Sequence, residues 1–190
     1  MARGRVTRDD WTLAALRALA RGGVAAVSVD ALAGELDITR GSFYWHFKDR
    51  EALLVAALEL WEQRATADVI TRIEPIADPA EQLRVLLETA LGADAVAGLE
   101  PALLAHSDHP VVAPVLTRVV ERRIGFLTGL YRRLGLDADT ARRQAVVAYA
   151  AYLGWADLRR AAAVVPEAAA EDPRGQAALR HLVEQLSAVR

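Results

Sequence analysis

The sequence of 190 residues predicts an all-α protein. Apolar residues make up 53% of the chain and recur at spacings of three and four residues, the pattern of helices with one buried face. No stretch shows the strict alternation that is typical of a strand. Most of the seven prolines fall between the periodic segments, where helix ends belong. Together these observations favour a folded chain built from helices alone.

Four helices are predicted in the N-terminal part. The first covers about 8–21, because Thr7 and Asp10 have the spacing of a capping box and Gly22-Gly23 follow the last apolar residues. Each of the next three follows a good N-cap residue. They are expected at about 29–36, 39–47 and 50–74, after Ser28, Thr39 and Asp49.

Five further helices follow in the C-terminal part, separated mainly by prolines. They are expected at about 79–98, 101–107, 111–135, 137–165 and 174–189. The long fourth helix would then join an N-terminal three-helix domain, residues 1–50, to a larger helical domain, residues 51–190.

Composition narrows the class of protein. Without cysteine the chain has no disulfide and no thiolate metal site, which fits the reducing cytoplasm where we expect it. Its first ten residues are polar, unlike a secretory signal, and the longest apolar run, about 145–156, is shorter than the roughly 20 residues of a membrane span. Residues 1–50 hold eight Lys and Arg against six Asp and Glu, a net charge of +2, within a chain of net charge −2. This mild asymmetry is also compatible with chance.

The stretch ITRGSFYWHFKDREALL, residues 38–54, contains an unbroken row of aromatic side chains. At about 100° per residue, Phe43 and Phe47 share one face of the predicted third helix, and we expect that face to be buried. The opposite face carries Arg40, Gly41, Tyr44 and Trp45, while Ser42 and His46 lie on a flank. An exposed aromatic pair beside an arginine indicates an interaction surface.

A helix, a tight turn and a second helix with such a face are typical of a helix-turn-helix motif, whose second helix enters the DNA major groove. Arginine can bind guanine through two hydrogen bonds, and hydroxyl and cationic side chains suit phosphates. In the alternative interpretation, Tyr44 and Trp45 only cover the fourth helix.

The segment GVAAVSVDALAGELDITRGSFYWHFKDREALLVAAL resembles the DNA-binding domain of the TetR family of bacterial transcriptional regulators. The resemblance covers about residues 8–55 and rests on matches at Gly23, Ser28-Val29, Leu32-Ala33, Tyr44, His46, Phe47 and Leu53. Two positions depart from the family pattern. Asp37 stands where the turn usually has glycine, and Arg50 stands where the pattern has lysine. Asp tolerates the left-handed backbone better than most residues but less well than glycine.

The resemblance implies roles for individual residues. Arg40 would read bases, with Gly41 and Tyr44 beside it. The other residues of the surface would contact phosphates or lie at the start of the predicted second and third helices. They are Ser28, Val29, Thr39, Ser42, Trp45, His46, Lys48 and Arg50. The arm of residues 2–7, with Arg3 and Arg5, would reach the DNA or remain a free tail.

The resemblance also implies a homodimer that binds a palindromic double-stranded operator as a ligand-released repressor. Dimerisation would use the last two helices, through Ala145, Ala148, Ala151 and Tyr152 and through Leu179, Leu182, Val183 and Leu186, unless these faces pack within one chain. The middle helices would enclose a mainly apolar small-molecule effector, with no cofactor. Its candidate pocket residues, each of which could equally be ordinary core, are Trp61, Arg64, Leu86, Leu103, His106, Phe126, Tyr149 and Tyr152.

Other classes of protein find less support in the sequence. His106 and His109 flank an aspartate at a spacing that could bind zinc, but no third ligand is evident and Pro110 follows, so we expect no metal. An enzyme is not expected either, because the chain shows no Ser/His/Asp set and no Gly-rich phosphate loop. The remaining alternative is a helical small-molecule-binding or protein-interaction module without operator binding.

Overall fold

A computed structural model of the protein describes residues 6–92, 99–165, 168–169 and 171–188, and all regular structure in these ranges is helical. This confirms the predicted all-α class. The helices are α1 (Arg8–Gly22), α2 (Val29–Glu35), α3 (Arg40–Phe43), α4 (Arg50–Glu62), α5 (Asp68–Ile73), α6 (Pro79–Gly92), α7 (Leu99–Leu104), α8 (Val112–Arg133), α9 (Ala138–Arg160) and α10 (Pro173–Ser187). Residues 93–98 and 189, predicted as helix ends, lie outside the described residues.

The capping box predicted at the start of α1 is present. The backbone N–H of Asp10 donates to Thr7 Oγ1 at 3.2 Å, and the backbone N–H of Thr7 donates to Asp10 Oδ2 at 2.8 Å. This backbone hydrogen bond from Thr7, followed by the hydroxyl, lowers the pKa of the Asp10 carboxyl. At α4 the Asp49 carboxylate accepts from the N–H of Ala52 at 2.7 Å. Both helices therefore begin where their sequences place the cap.

Two predicted helices differ in detail. The third is α-helical only over α3. The backbone after it continues in helical turns, in which the N–H of Phe47 donates to the carbonyl of Phe43 at 3.0 Å. The fourth is divided into α4 and α5 by a π-helical segment, Gln63–Ala67. A π-helical turn inserts an extra residue into the helical repeat and is frequent at functional sites.

The apolar interior consists of two hydrophobic cores, the first core and the second core. The first lies among α1 to α4 and is completed by Leu99 and Leu103 of α7 and by Val112 and Val115 of α8. The second lies among α6, the C-terminal half of α8, α9 and α10. The first core includes side chains from both sides of residue 50, the predicted domain boundary. Helices α1 to α3 therefore pack directly against the larger predicted domain.

Most of the side chains predicted for dimerisation are buried within the chain itself, which contradicts their assignment to an interface, whereas dimerisation itself stays a prediction. Ala145, Ala148 and Tyr152 of α9 pack in the second core, as do Val183 and Leu186 of α10. The reason is that α9 lies along α8, and its small side chains permit this close approach. Among the described residues, none of the helices has the length and apolarity that crossing a membrane requires.

Asp37, in the turn between α2 and α3, has a φ of 54° and so adopts the left-handed conformation that the sequence required there. We expect Asp37→Gly to be more stable than Asp37→Ala by about 1 kcal/mol, because only alanine retains a β-carbon in this conformation. Both variants lose the carboxylate, so the comparison isolates the backbone. Urea unfolding measures the difference, and an equal or greater stability of the alanine variant would contradict the expectation.

Candidate nucleic-acid interface and internal cavity

Two phenylalanines fix how α3 faces the rest of the protein. Phe43 is 0% and Phe47 is 4% exposed. The Phe43 ring meets the Trp11 ring edge to face at a centroid distance of 5.3 Å and lies 5.7 Å from the Phe47 ring. The guanidinium of Arg8 covers the Phe47 ring at 4.8 Å. Because α3 is anchored on this side, its other side points away from the protein.

The outward side carries the predicted aromatic pair. Tyr44 is 57% exposed and Trp45 is 81% exposed, whereas Ser42 and His46 are half-buried on the flank. Arg40 and Gly41 are exposed on the same side as the pair. The alternative interpretation, in which Tyr44 and Trp45 only cover the fourth helix, is incompatible with this exposure.

The Arg40 side chain is held within the exposed face. Its Nη1 lies 3.3 Å from a carboxylate oxygen of Asp30 on α2, and its Nη2 donates to the Tyr44 hydroxyl at 3.4 Å. The hydrogen bond to Tyr44, followed by the charge of Asp30, raises the pKa of Arg40. These long, solvent-exposed contacts orient a permanently charged donor group without burying it.

The flanking residues form a polar margin around this surface. Ser28 and Thr39 are the N-cap residues of α2 and α3, and within the described part of the chain neither side chain makes a capping hydrogen bond. Val29 is half-buried at the start of α2, and Lys48 is exposed. Hydroxyls and a cation in these positions suit phosphate oxygens. Arg3 and Arg5 of the predicted arm lie outside the described residues.

Arg50 makes a contact that the sequence did not predict. Its Nε donates to the carbonyl of Val27 and its Nη2 donates to the carbonyl of Val24. The side chain therefore connects the start of α4 to the turn that precedes α2. Its predicted phosphate contact stays a prediction, and any loss of binding on mutation would include the loss of this internal contact.

A cavity of about 460 Å³ lies among α5, α6, α8 and α9, beside the π-helical segment. Five of the predicted pocket residues line it, namely Arg64, Leu86, Phe126, Tyr149 and Tyr152. The volume is within the range of small-molecule sites, about 300–1,000 Å³.

Three predicted pocket residues lie outside the lining of this cavity. Trp61 and Leu103 are fully buried in the first core. The His106 ring lies against Gly23, where a β-carbon would be 3.0 Å from the ring carbon Cε1. Their packing depends on contacts with distant parts of the chain, which the sequence did not predict.

A buried polar network forms one wall of the cavity. The Glu100 side chain is 0% exposed and pairs with Nη1 of Arg123, which is 14% exposed. Arg123 also donates through Nε to Thr66 Oγ1 at 2.9 Å and through Nη2 to the carbonyl of Ala65 at 2.8 Å. The Tyr149 hydroxyl donates to the second Glu100 oxygen. Because the charges are paired and bridged by hydrogen bonds, the network can exist in an apolar interior.

The pKa values in this network reflect its burial. Burial, followed by the Glu100 charge, raises the pKa of the Tyr149 hydroxyl, and burial raises the pKa of Tyr152 to about 12. Burial alone would lower the pKa of Arg123, but the Glu100 carboxylate, Tyr152 and Tyr149 together outweigh burial and raise that pKa. Both tyrosines are therefore neutral hydroxyls at neutral pH.

Sequence reasoning missed Arg123, which lines the cavity, and Glu100, which pairs with it. Glu100 lies between apolar neighbours in LEPALL, which is a signal for a buried and therefore paired carboxylate. No feature of the neighbouring sequence distinguishes Arg123 from Arg122, because only the tertiary packing of α8 decides which side chain points inward.

The two histidines of the possible metal motif have other partners. His106 Nδ1 lies 3.0 Å from the carbonyl of Ala102, and His109 Nδ1 accepts from the N–H of Val111 at 3.2 Å. Among the described residues, no group of three or more His, Cys, Asp or Glu side chains could hold a metal ion.

Comparison with known proteins identifies the N-terminal segment. Residues 12–57 match the model of bacterial regulatory proteins of the tetR family. The HTH-type transcriptional regulator YerO of Bacillus subtilis is 44% identical over 46 residues, which are 24% of this chain and only 16% of that protein. The sequence relationship is therefore established for the helix-turn-helix segment.

Solved structures resemble the chain over nearly its whole length. A TetR transcriptional regulator from Legionella pneumophila superposes with a TM-score of 0.78 at 19% identity, covering 97% of this chain and 98% of that one. The regulator FadR from Bacillus subtilis, solved with stearoyl-CoA, gives a TM-score of 0.70 at 15% identity and covers 96% and 98% of the two chains. At these identities the likeness shows a shared fold. Both of these proteins are named as transcriptional regulators.

We expect Arg123→Met to lower the free energy of unfolding by about 3–5 kcal/mol, because it leaves Glu100 buried without its counter-charge. Adding Glu100→Gln to this variant should restore part of the loss, since the uncompensated charge is then removed. Urea unfolding of the two single variants and the double variant measures the coupling. Additive losses would contradict the interpretation that the two side chains stabilise each other.

Proposed function

We propose that the protein is a sequence-specific DNA-binding transcriptional regulator, because residues 12–57 match the model of bacterial regulatory proteins of the tetR family. It acts as a repressor, binds a palindromic operator as a homodimer and releases it when a small molecule enters the cavity. The observation that carries this proposal is the outward face of α3, where Arg40, Tyr44 and Trp45 are exposed together on an anchored helix.

In the proposed complex, α3 and the helical turns that follow it lie in the major groove. Arg40 offers a guanidinium for the O6 and N7 atoms of a guanine, while the Tyr44 and Ser42 hydroxyls and the Trp45 indole N–H lie beside it. Lys48, Thr39 and Ser28 hold phosphates at the margin, which fixes the register of the helix without specifying bases. His46 offers a further phosphate contact, Gly41 permits close approach because it has no side chain, and Val29 borders the surface at the start of α2.

A second copy of the chain supplies the second half-site. The outward side of α9 carries Val147, Ala150, Gly154 and Leu158 at helical spacing, and all four are exposed. A β-carbon at Gly154 would meet no atom within 4 Å, so this side is open to a partner helix. We propose this stripe, instead of the buried alanines expected from the sequence, as the centre of the dimer interface. A two-fold dimer reads half-sites about one helical turn apart, or a multiple of it.

Coupling between the cavity and the DNA-binding surface runs through Arg123. Its hydrogen bonds to Ala65 and Thr66 hold the π-helical segment that follows α4, and its guanidinium lies 5.7 Å from the centre of the Trp61 ring on α4. An effector that contacts the wall formed by Arg123 and shifts it would loosen this end of α4. The dimer conformation that fits both half-sites would then lose population, and repression would end. That a regulator of the same fold was solved with stearoyl-CoA supports a ligand-responsive role.

The test of DNA recognition uses duplexes selected from a random pool. We expect wild-type protein to select a palindromic site and Arg40→Ala to lose about 1–3 kcal/mol of discrimination at one base pair of each half-site. Fluorescence anisotropy with single-base-pair substitutions measures this loss. The matched control is Arg84→Ala, which removes an exposed arginine of α6 that pairs with Glu81 and Glu88. Selection of no common sequence, or equal effects of the two variants, would refute the assignment of Arg40.

The proposed interface is tested by Val147→Glu. A carboxylate on this stripe would be buried against its own copy in a two-fold dimer, so we expect dissociation to monomers in sedimentation experiments. Affinity for the full palindrome should fall at least about tenfold, because the two half-sites are then bound separately. Val164→Glu, at another highly exposed valine, is the control and should leave both properties unchanged. A fully dimeric Val147→Glu protein would exclude this face.

A further inference from the structure

The charges beside the cavity cancel within the chain. Arg123 is the positive group in its inner wall, and the buried Glu100 carboxylate lies directly behind it. Thr66 and the carbonyl of Ala65 accept further hydrogen bonds from the guanidinium, and Tyr149 donates to the carboxylate. A ligand entering the cavity therefore meets a polar wall whose ionic requirements are already satisfied.

The remaining walls are mainly hydrocarbon. Ile70, Leu87, Leu91 and Leu127 line the cavity and are buried, and Phe126 adds an aromatic surface. The second cation in the lining, Arg64, is exposed to solvent. An ion pair at such a site is screened and contributes little to affinity, so Arg64 does not supply the counter-charge that a buried anion needs.

These conditions restrict the charge of the ligand. A carboxylate placed against the inner wall would have to compete with Glu100 for Arg123, and a quaternary ammonium ion would have to compete with Arg123 for Glu100. Either ion would otherwise lose its hydration without a partner, which costs several kcal/mol. Burying a hydroxyl or carbonyl group costs much less free energy than burying an ion. Either group can also hydrogen-bond to the tyrosine hydroxyl or to the guanidinium edge of the wall.

We infer that the effector is an uncharged, predominantly hydrocarbon molecule whose hydroxyl or carbonyl group meets the wall formed by Arg123 and Tyr149. This inference rests on the proposed function in one respect only, the role of the cavity as the effector site. It selects among ligand classes that the fold alone leaves open, since acids, amines and neutral molecules could all fill a space of this size.

The experiment compares three probes that share one alkyl chain, namely decanol, decanoate and decyltrimethylammonium. Binding to the wild-type protein is measured at neutral pH, below the micelle concentration of each probe, by isothermal titration calorimetry. We expect decanol to bind at least about tenfold more tightly than either ion. Ala90→Phe, which places a large ring in the lining, should abolish binding of decanol and so locates the site.

The Glu100→Gln variant tests whether the Glu100 charge is the cause of the expected preference for a neutral ligand. The amide keeps the shape of the side chain and can still accept from the Tyr149 hydroxyl, but it leaves Arg123 without a counter-charge. The ratio of decanoate to decanol affinity should therefore rise about tenfold or more in this variant. Circular dichroism establishes whether the variant is folded. If it is not, the comparison of the three probes on wild-type protein still decides the question.

The outcomes separate this inference from the proposed function. Tighter binding of decanoate or of the ammonium ion, abolished by Ala90→Phe, would overturn the inference, as would the absence of binding by all three probes or an unchanged ratio in a folded Glu100→Gln protein. Operator binding is measured on ligand-free protein. Failure there would refute the proposed regulator and leave the ligand preference standing.

Discussion

The packing of Phe43 against Trp11 and Phe47 is the constraint on which the orientation of α3 depends. The α-helical part of α3 has only four residues, too few to be stable alone in water. Its orientation must therefore come from tertiary contacts, and burial of each phenylalanine stabilises it by about 1.5–3 kcal/mol. With those two rings directed inward, helical geometry turns Arg40, Tyr44 and Trp45 towards solvent. One packing interaction thus produces both the core of the motif and its candidate binding surface.

The same core links this surface to the cavity. Trp61 near the end of α4 and Leu99 at the start of α7 share the first core with Phe43, and Glu100, the residue after Leu99, pairs with Arg123. The π-helical segment lies between α4 and the cavity wall and is held by hydrogen bonds from Arg123. A change in the cavity can therefore reach α4 through side chains that are in direct contact. Rigid packing transmits such a displacement, because a close-packed interior cannot absorb it locally.

Local signals in the sequence predicted much of the architecture. Helix positions, the cap at Thr7 and the left-handed turn at Asp37 follow from residues close in the chain, and the inward side of α3 follows from the spacing of its phenylalanines. What failed depended on distant parts of the chain. Ala145 and Ala148 were expected to meet a second copy but meet α8, since small residues allow close approach to any helix, within or between chains.

The cavity shows the same limit. Of the pocket residues that the family resemblance implied, Arg64, Phe126 and Tyr149 line the cavity, whereas Trp61 and His106 do not. The resemblance gives the helices around the pocket but not the side chains that pack into it. The pairing of Glu100 with Arg123 joins residues 23 positions apart on different helices. Only the three-dimensional arrangement reveals that their charges cancel at the cavity wall, and that cancellation has no counterpart in composition or spacing.

The central claim is that the outward side of α3 is the surface that meets DNA, and Trp45 reports on it directly. Trp11 and Trp61 are fully buried, so in a Trp155→Phe variant the remaining accessible indole is Trp45. Acrylamide quenching of its fluorescence should be strong in the free protein and should fall to the level of a buried indole when a selected operator duplex is bound. Unchanged quenching in the presence of saturating, demonstrably bound DNA would show that another surface makes the contact.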